Sequence, residues 1–236
     1  MAAETAVHDT TDLIAMHPSH EAPVEEWCAW VDEVYAHSGG DAKKIPWASE
    51  RANPALIAWL NRVAPEHIRP GSRAAVVGCG LGRDACALLD RGYEVTAFDR
   101  SASAVELARS LHRGHEECFV VADAVDPPTR MHHRYDLVVE VHTLQALPPE
   151  NRVSLARGMS RLLSPRGILI AVARGRESGS PIGAFRQPPY PLTKDELIST
   201  MAEAGLVPMG GVGGVDEFLD ENVPPVRRLR GAFVRG

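Results

Sequence analysis

The sequence predicts a doubly wound α/β fold, on three observations. Five short apolar runs follow one another: AAVV at 74–77, EVTAF at 94–98, CFVVA at 118–122, DLVVEV at 136–141 and ILIAVA at 168–173. Runs this continuous belong to strands covered on both faces. Between them lie segments with helical spacing and stop signals. A glycine-rich turn, VVGCGLGRDA at 76–85, follows the first run directly. Strands alternating with helices build a parallel sheet through right-handed crossovers.

The elements follow in chain order. Residues 1–22 are polar, carry His8, His17 and His20 and show no hydrophobic period, so a flexible N-terminal arm is expected, with its histidines solvated rather than metal-bound. From Pro23, Val24, Trp27, Val31, Val34 and Tyr35 recur at three- and four-residue steps and mark an amphipathic helix. Asn53 caps a second helix, with Pro54 at its first position and Leu56, Ile57, Leu60 and Val63 on its apolar face. These helices form an N-terminal cap over 23–70, and residues 71–236 form the sheet core of one domain over 23–236. Within the core, helices over 83–91, 102–113 and 150–163 end before Gly92, Gly114 and the Pro165–Gly167 segment. After the proline-rich loop SPIGAFRQPPYPL, Thr193 and Glu196 have the spacing of a capping box, and that helix closes at Gly205. Terminal strands near 206–212 and 228–234 bring the sheet to seven.

Composition narrows the function. The chain has 236 residues, 44% of them apolar, with a formal charge of -6 and no Lys/Arg block. That balance argues against a nucleic-acid surface or an anionic membrane and favours a small-molecule ligand. No cationic-then-apolar leader and no span of 18 apolar residues is present, so the cytoplasm is the expected compartment. Cys28, Cys79, Cys86 and Cys118 are too few and too scattered for a disulfide framework and are expected to be reduced.

A strand that ends in glycines and feeds a helix exposes main-chain N–H groups where a ligand can approach without meeting a Cβ. Gly78, Gly80 and Gly82 fit that use, although glycine after a strand can also serve only a tight turn. Asp99 ends the second strand, 21 residues after Gly78, where a carboxylate can accept both hydroxyls of an adenosine ribose. Loop and acid together specify a nucleoside cofactor. The dinucleotide fingerprint needs a third glycine at the position held here by Arg83, so G-C-G-L-G favours S-adenosylmethionine over a pyrophosphate. No metal is expected: His112, His115 and Cys118 have ligand-like spacing but run off a helix into a strand with no fourth ligand nearby.

The segments VVGCGLGRD (76–84), RGYEVTAFDRSASAVELAR (91–109), VVADAVD (120–126), YDLVVEVHTLQALPPENR (135–152) and PPYPLTKDEL (188–197) together resemble the class I S-adenosylmethionine-dependent methyltransferases. Within them the sequence is most similar to the small-molecule branch of the thiopurine S-methyltransferase and tellurite-resistance type. The resemblance implies a Rossmann-like, seven-stranded, mostly parallel sheet with an N-terminal helical cap. It implies that Gly78, Cys79, Gly80 and Gly82 line the methionine moiety, that Asp99 binds the ribose with Arg100 and Ser101 beside the adenine, and that Asp123 and Ala124 meet the adenine. Glu140, Val141 and His142 would face the methionine part and the substrate. Many family members carry an acid two places before the first glycine; here that residue is Val76, a departure the named branch often shares. Trp47 matches a segment that helps cover the cofactor in the resembling family, or packs between the early helices. Asp84 either favours the start of its helix or holds the ligand's ammonium.

Methyl transfer needs alignment and exclusion of water more than acid–base apparatus. If a base exists, His142 is the candidate, against a role in shaping the pocket. Gln145 could orient a polar substrate or cap a turn. The pocket roof would come from the first helices, with Trp27, Trp30 and Tyr35, and from the loop with Phe185, Arg186 and Tyr190; Trp27 and Tyr35 also read as core. The expected function is methyl transfer to a small-molecule heteroatom, a thiol by resemblance. A nicotinamide-dependent oxidoreductase or a non-catalytic nucleoside-binding module is the alternative.

Overall fold

The computed structural model describes residues 10–19, 21–181, 188–211 and 214–236. Among the described residues four α-helices precede the first strand: α1 (Thr10–Ala15), α2 (Val24–Ser38), α3 (Pro54–Arg62) and α4 (Ala64–His67). Part of the segment expected as an arm is thus α1, and its Leu13 is buried against α2 with Val34 and Tyr35. Trp30 Nε1 donates to Leu13 O at 2.7 Å and fixes that docking. Asn53 caps α3 as its sequence requires, its side-chain oxygen accepting from the Ala55 and Leu56 N–H groups.

Among the described residues eight strands form one sheet: β1 (Arg73–Val77), β2 (Glu94–Asp99), β3 (Phe119–Val121), β4 (Tyr135–Val141), β5 (Leu163–Arg174), β6 (Leu206–Pro208), β7 (Val215–Leu219) and β8 (Arg227–Arg235). The order is β3-β2-β1-β4-β5-β8-β6, with β7 also paired to β8. β1 to β5 are parallel, and β8 runs antiparallel to β5. The expected count of seven is corrected to eight. β8 is nine residues long, so its Arg227–Gly231 half pairs with β7 while its end pairs with β6. β7 reads VDEFL, whose two acids break the apolar pattern that revealed the other strands.

The helices α5 (Arg83–Leu89), α6 (Ala102–Leu111), α7 (Arg152–Leu162) and α8 (Lys194–Glu203) cover the sheet. Two buried clusters result, one on each face. Leu155, Met159, Leu197 and Met201 pack with Val77, Val138 and Leu169 on one side. Leu56, Leu60, Leu88 and Val105 pack with Val76, Val139 and Ile170 on the other. Alternate residues of one strand therefore enter opposite cores, as a parallel sheet covered on both faces demands. α8 begins with the full capping box of Thr193 and Glu196. Among the described residues no helix is long and apolar enough to cross a membrane.

Candidate active site

The carboxyl ends of the parallel strands open onto a cleft of about 1710 Å³, on the side of the sheet where ligands bind in open α/β folds. Gly78, Cys79 and Gly80 line it, and Gly82 does not. Three N–H groups of this turn are already used: Cys79 donates to Phe98 O at 3.0 Å, Gly80 to Asp99 Oδ2 at 3.0 Å and Gly82 to Cys79 O at 2.8 Å. Conformation and crowding require the glycines instead. Gly80 has φ +48°, and a Cβ there would stand 2.8 Å from the Tyr35 hydroxyl. Gly82, expected to line the methionine moiety, has φ +77° and does not border the cleft; a Cβ there would meet the Phe119 ring at 2.6 Å, so it packs closely against β3. His112, half-buried and stacked on Phe119, is bonded to Leu81 O at 2.8 Å, which fixes its ring against that packing.

Asp99 reaches the cleft from the end of β2. Its Oδ1 accepts the Ser101 N–H at 2.9 Å and its Oδ2 that of Gly80, and burial raises its pKa above the usual carboxylate value. Each oxygen keeps acceptor capacity toward the cleft. Arg100 and Asp123 line the same wall and approach to 3.9 Å, with Ala124 beside them. Ser101 also borders the cleft, but its hydroxyl is committed: it caps α6 and donates to Asp32 Oδ1 at 2.6 Å. Asp32 further accepts from Ser103 N at 3.0 Å and Ser103 Oγ at 3.0 Å, and so clamps α2 to the start of α6. Sequence reading missed Asp32, because an acid on a surface helix means nothing until its partners, about 70 residues later, are placed beside it.

The cap supplies an aromatic wall. Trp30 and Trp47 rings lie 5.4 Å apart, Trp27 and Trp30 5.6 Å, and the Trp47 indole donates to the Tyr35 hydroxyl at 2.9 Å. All four line the cleft, with Trp47 41% exposed and Trp27 and Tyr35 buried. Asp84, in the first turn of α5, also lines it; the Asn53 N–H donates to its Oδ1 at 2.7 Å, and burial raises its pKa.

The opposite side of the cleft is built on the ends of β4 and β5. Val141 and His142 line it, but Glu140, expected beside them, is fully buried and does not. Its Oε1 accepts the N–H groups of Thr143 (2.5 Å) and Leu144 (2.9 Å) and holds the turn after β4, while Oε2 has no partner among the described residues. His142 adopts φ +67°, and its Nε2 lies 3.4 Å from Arg228, whose Nε donates to Asp220 at 2.8 Å. Gln145 borders the cleft, yet its side-chain oxygen accepts the Arg174 N–H. Tyr190 is buried away from the cleft, its carbonyl bonded to Arg152 at 2.6 Å. Phe185 and Arg186 lie outside the described residues. Arg174, Arg228 and Arg230 line the cleft from β5 and β8, and sequence reading singled out none of them.

Buried Glu140 and half-buried His142 titrate in opposing senses. Burial, with Arg228 close by, pushes His142 down to about 4, and burial pushes Glu140 up to about 7. His142 is neutral in the fold, while the unfolded imidazole takes a proton near 6.5, so its contribution to stability is whole above that value and is lost as pH falls toward 4. Glu140 keeps its proton in the fold, while the unfolded carboxyl loses one near 4.5, so its contribution is lost as pH rises toward 7. Between those unfolded values the slopes cancel. Glu140→Gln is therefore expected to gain stability from pH 4.5 to 6.5, and His142→Asn to lose it, each by about 2 kcal/mol relative to the parent; asparagine suits the left-handed backbone. Urea denaturation at the two pH values checks the pair of slopes.

Comparison with known proteins agrees with this geometry. The family model described as a methyltransferase domain matches residues 75–171. Thiocyanate methyltransferase 1 of Brassica oleracea is 30% identical over 158 residues, 64% of this chain and 67% of that protein. Among solved structures, 1,6-didemethyltoxoflavin-N1-methyltransferase of Burkholderia thailandensis, with bound S-adenosylhomocysteine, superimposes with a TM-score of 0.66 at 18% identity, over 91% of each chain. A protein of echinomycin biosynthesis, where a disulfide is converted into a thioacetal, does so with 0.65 at 24% identity, over 86% of this chain and 91% of that one. At those identities the structures show the fold, which is Rossmann-like. An oxidoreductase or a silent binding module finds no support among them. The glycine turn, the acid ending β2 and these relatives lead to one placement: the chain belongs to the class I S-adenosylmethionine-dependent methyltransferases.

Proposed function

We propose that the protein methylates the sulfur of a small-molecule acceptor, without a general base. The residues fit S-adenosylmethionine. Asp99 offers acceptor capacity for a ribose diol, Arg100, Asp123 and Ala124 border the space for an adenine, and Trp27, Trp30 and Trp47 wall it. Arg83 Nε, buried without a partner among the described residues, lies beside the glycine turn and suits the acidic end of an amino-acid moiety. A cleft of about 1710 Å³ exceeds the size common for one small ligand and leaves room for an acceptor. When bound, S-adenosylmethionine supplies a methyl group on a positively charged sulfur and leaves as S-adenosylhomocysteine. The chain's own part is to hold, align and exclude water.

One observation carries the choice of acceptor: the imidazole on the acceptor side is a poor base. His142 stays neutral down to about pH 4, and Arg228 occupies the neighbourhood of its Nε2. Asp216, Glu217 and Asp220 are held in ion pairs by Arg230, Arg227 and Arg228. An alcohol needs a base, whereas a thiol near pKa 8.5 ionises unaided. Similarity to thiocyanate methyltransferase supports the same class. His142 then shapes the pocket and keeps Arg228 in place.

The test is incubation with S-adenosylmethionine and a panel of matched thiol, alcohol and amine acceptors, with thiocyanate added. S-Methyl products by mass spectrometry, and S-adenosylhomocysteine formed in equal amount, are expected from the sulfur acceptors. Turnover confined to oxygen or nitrogen acceptors would overturn the assignment.

A further inference from the structure

β5 and β8 are antiparallel neighbours, and their register sets Arg174 directly opposite Arg228. Like charges facing across a sheet are destabilising unless each is compensated. Arg228 is compensated, by Asp220 at 2.8 Å, and two residues further along β8 Arg230 is held by Asp216. Arg174 is half-buried in the cleft wall, and among the described residues its guanidinium has no carboxylate partner. The chain between Pro181 and Pro188 holds no Asp or Glu to supply one. The backbone of Arg174 is nevertheless firmly set: its N–H donates to Gln145, and its carbonyl accepts from Leu192 at 3.0 Å. The cleft that Arg174 lines is partly closed from solvent, and there an unpaired cation attracts an anion more strongly than in open water.

We propose that Arg174 is the anion-binding position of the acceptor site, so that the acceptor is held with its sulfur already negatively charged. This rests on the sulfur-methylating reading above and adds the charge state and the residue that selects it. A thiol gives its proton to solvent on entering, and a thiocyanate-like anion enters as it is. The guanidinium completes its ion pairing only when the acceptor is present, which favours charged sulfur nucleophiles over neutral ones of the same shape. It also accounts for a site that does without a strong base.

The experiment is isothermal titration of sodium thiocyanate, at fixed ionic strength with chloride as the balancing anion, into the protein with S-adenosylhomocysteine bound. Arg174→Gln is expected to weaken thiocyanate binding tenfold or more and Arg174→Lys to retain part of it; both variants keep the parent's affinity for S-adenosylhomocysteine, and Arg174→Gln, relieved of the like charge opposite Arg228, melts no lower than the parent. Equal thiocyanate affinity in the parent and in Arg174→Gln would overturn the assignment, as would a parent that does not prefer thiocyanate to chloride. Failure of the parent to bind S-adenosylhomocysteine would instead remove the methyltransferase reading beneath it, so the two failures are distinct.

Discussion

Asp99→Asn is expected to weaken binding of S-adenosylmethionine by tenfold to a hundredfold while the fold survives. The carboxylate joins the end of β2 to the glycine turn, taking the Gly80 N–H at 3.0 Å and the Ser101 N–H at 2.9 Å. Asparagine has a single oxygen, so one of those donors loses its acceptor, and the remaining oxygen has less to offer two ribose hydroxyls. Loss of charge-assisted hydrogen bonds of this kind costs about 1.5–3 kcal/mol, which is the stated range in affinity. Burial raises the pKa of Asp99, so the parent's affinity falls on acidification as the carboxyl takes up its proton, and the asparagine variant lacks that dependence. Titration calorimetry at two pH values measures both effects, and a thermal melt separates them from unfolding. Unchanged affinity in Asp99→Asn would take Asp99 out of the ribose position.

Much of the fold was legible because its signals are local. The apolar runs that became β1 to β5 each enter two cores, and Asn53, Thr193 and Glu196 cap their helices through contacts within three residues of themselves. The acid at the end of β2 was legible for the same reason, since its spacing from the glycine turn is fixed by one strand–helix–strand unit. What escaped depends on distance along the chain. Asp32 acquires meaning only from Ser101 and Ser103, and Arg174 only from its register opposite Arg228. Glu140 was placed toward the ligand by resemblance, and Gln145, in the turn after β4, was read as orienting a substrate or capping a turn; neighbouring residues of a buried strand alternate sides, and turn residues answer to main-chain partners. Glu140 turns inward to hold main-chain N–H groups, and Gln145 spends its oxygen on Arg174. α1 escaped because its single buried leucine gives no periodicity over six residues.

Gly158→Ala opposes two effects whose signs differ. Gly158 lies inside α7, where alanine is the better helix former by about 1 kcal/mol, so sequence propensity alone expects a more stable protein. The packing expects the reverse: a Cβ at this position would stand 1.8 Å from the carbonyl oxygen of Ala124 and 3.0 Å from that of Val125. Both obstacles are backbone, and Arg161 ties Val125 O to the same helix at 2.7 Å, so the segment cannot retreat without breaking a bond. Overpacking in a close-packed interior costs about 1–3 kcal/mol and more when main chain must move. The crowding therefore wins, with a net loss of about 2 kcal/mol and a melting temperature lower by roughly 4–8 °C. The strained segment is also the cleft wall that carries Asp123 and Ala124. Affinity for S-adenosylhomocysteine should fall together with stability, by severalfold, although Gly158 itself does not border the cleft. A variant as stable as the parent would mean that the 122–125 segment yields freely, and the adenine wall would then owe its position to something other than α7.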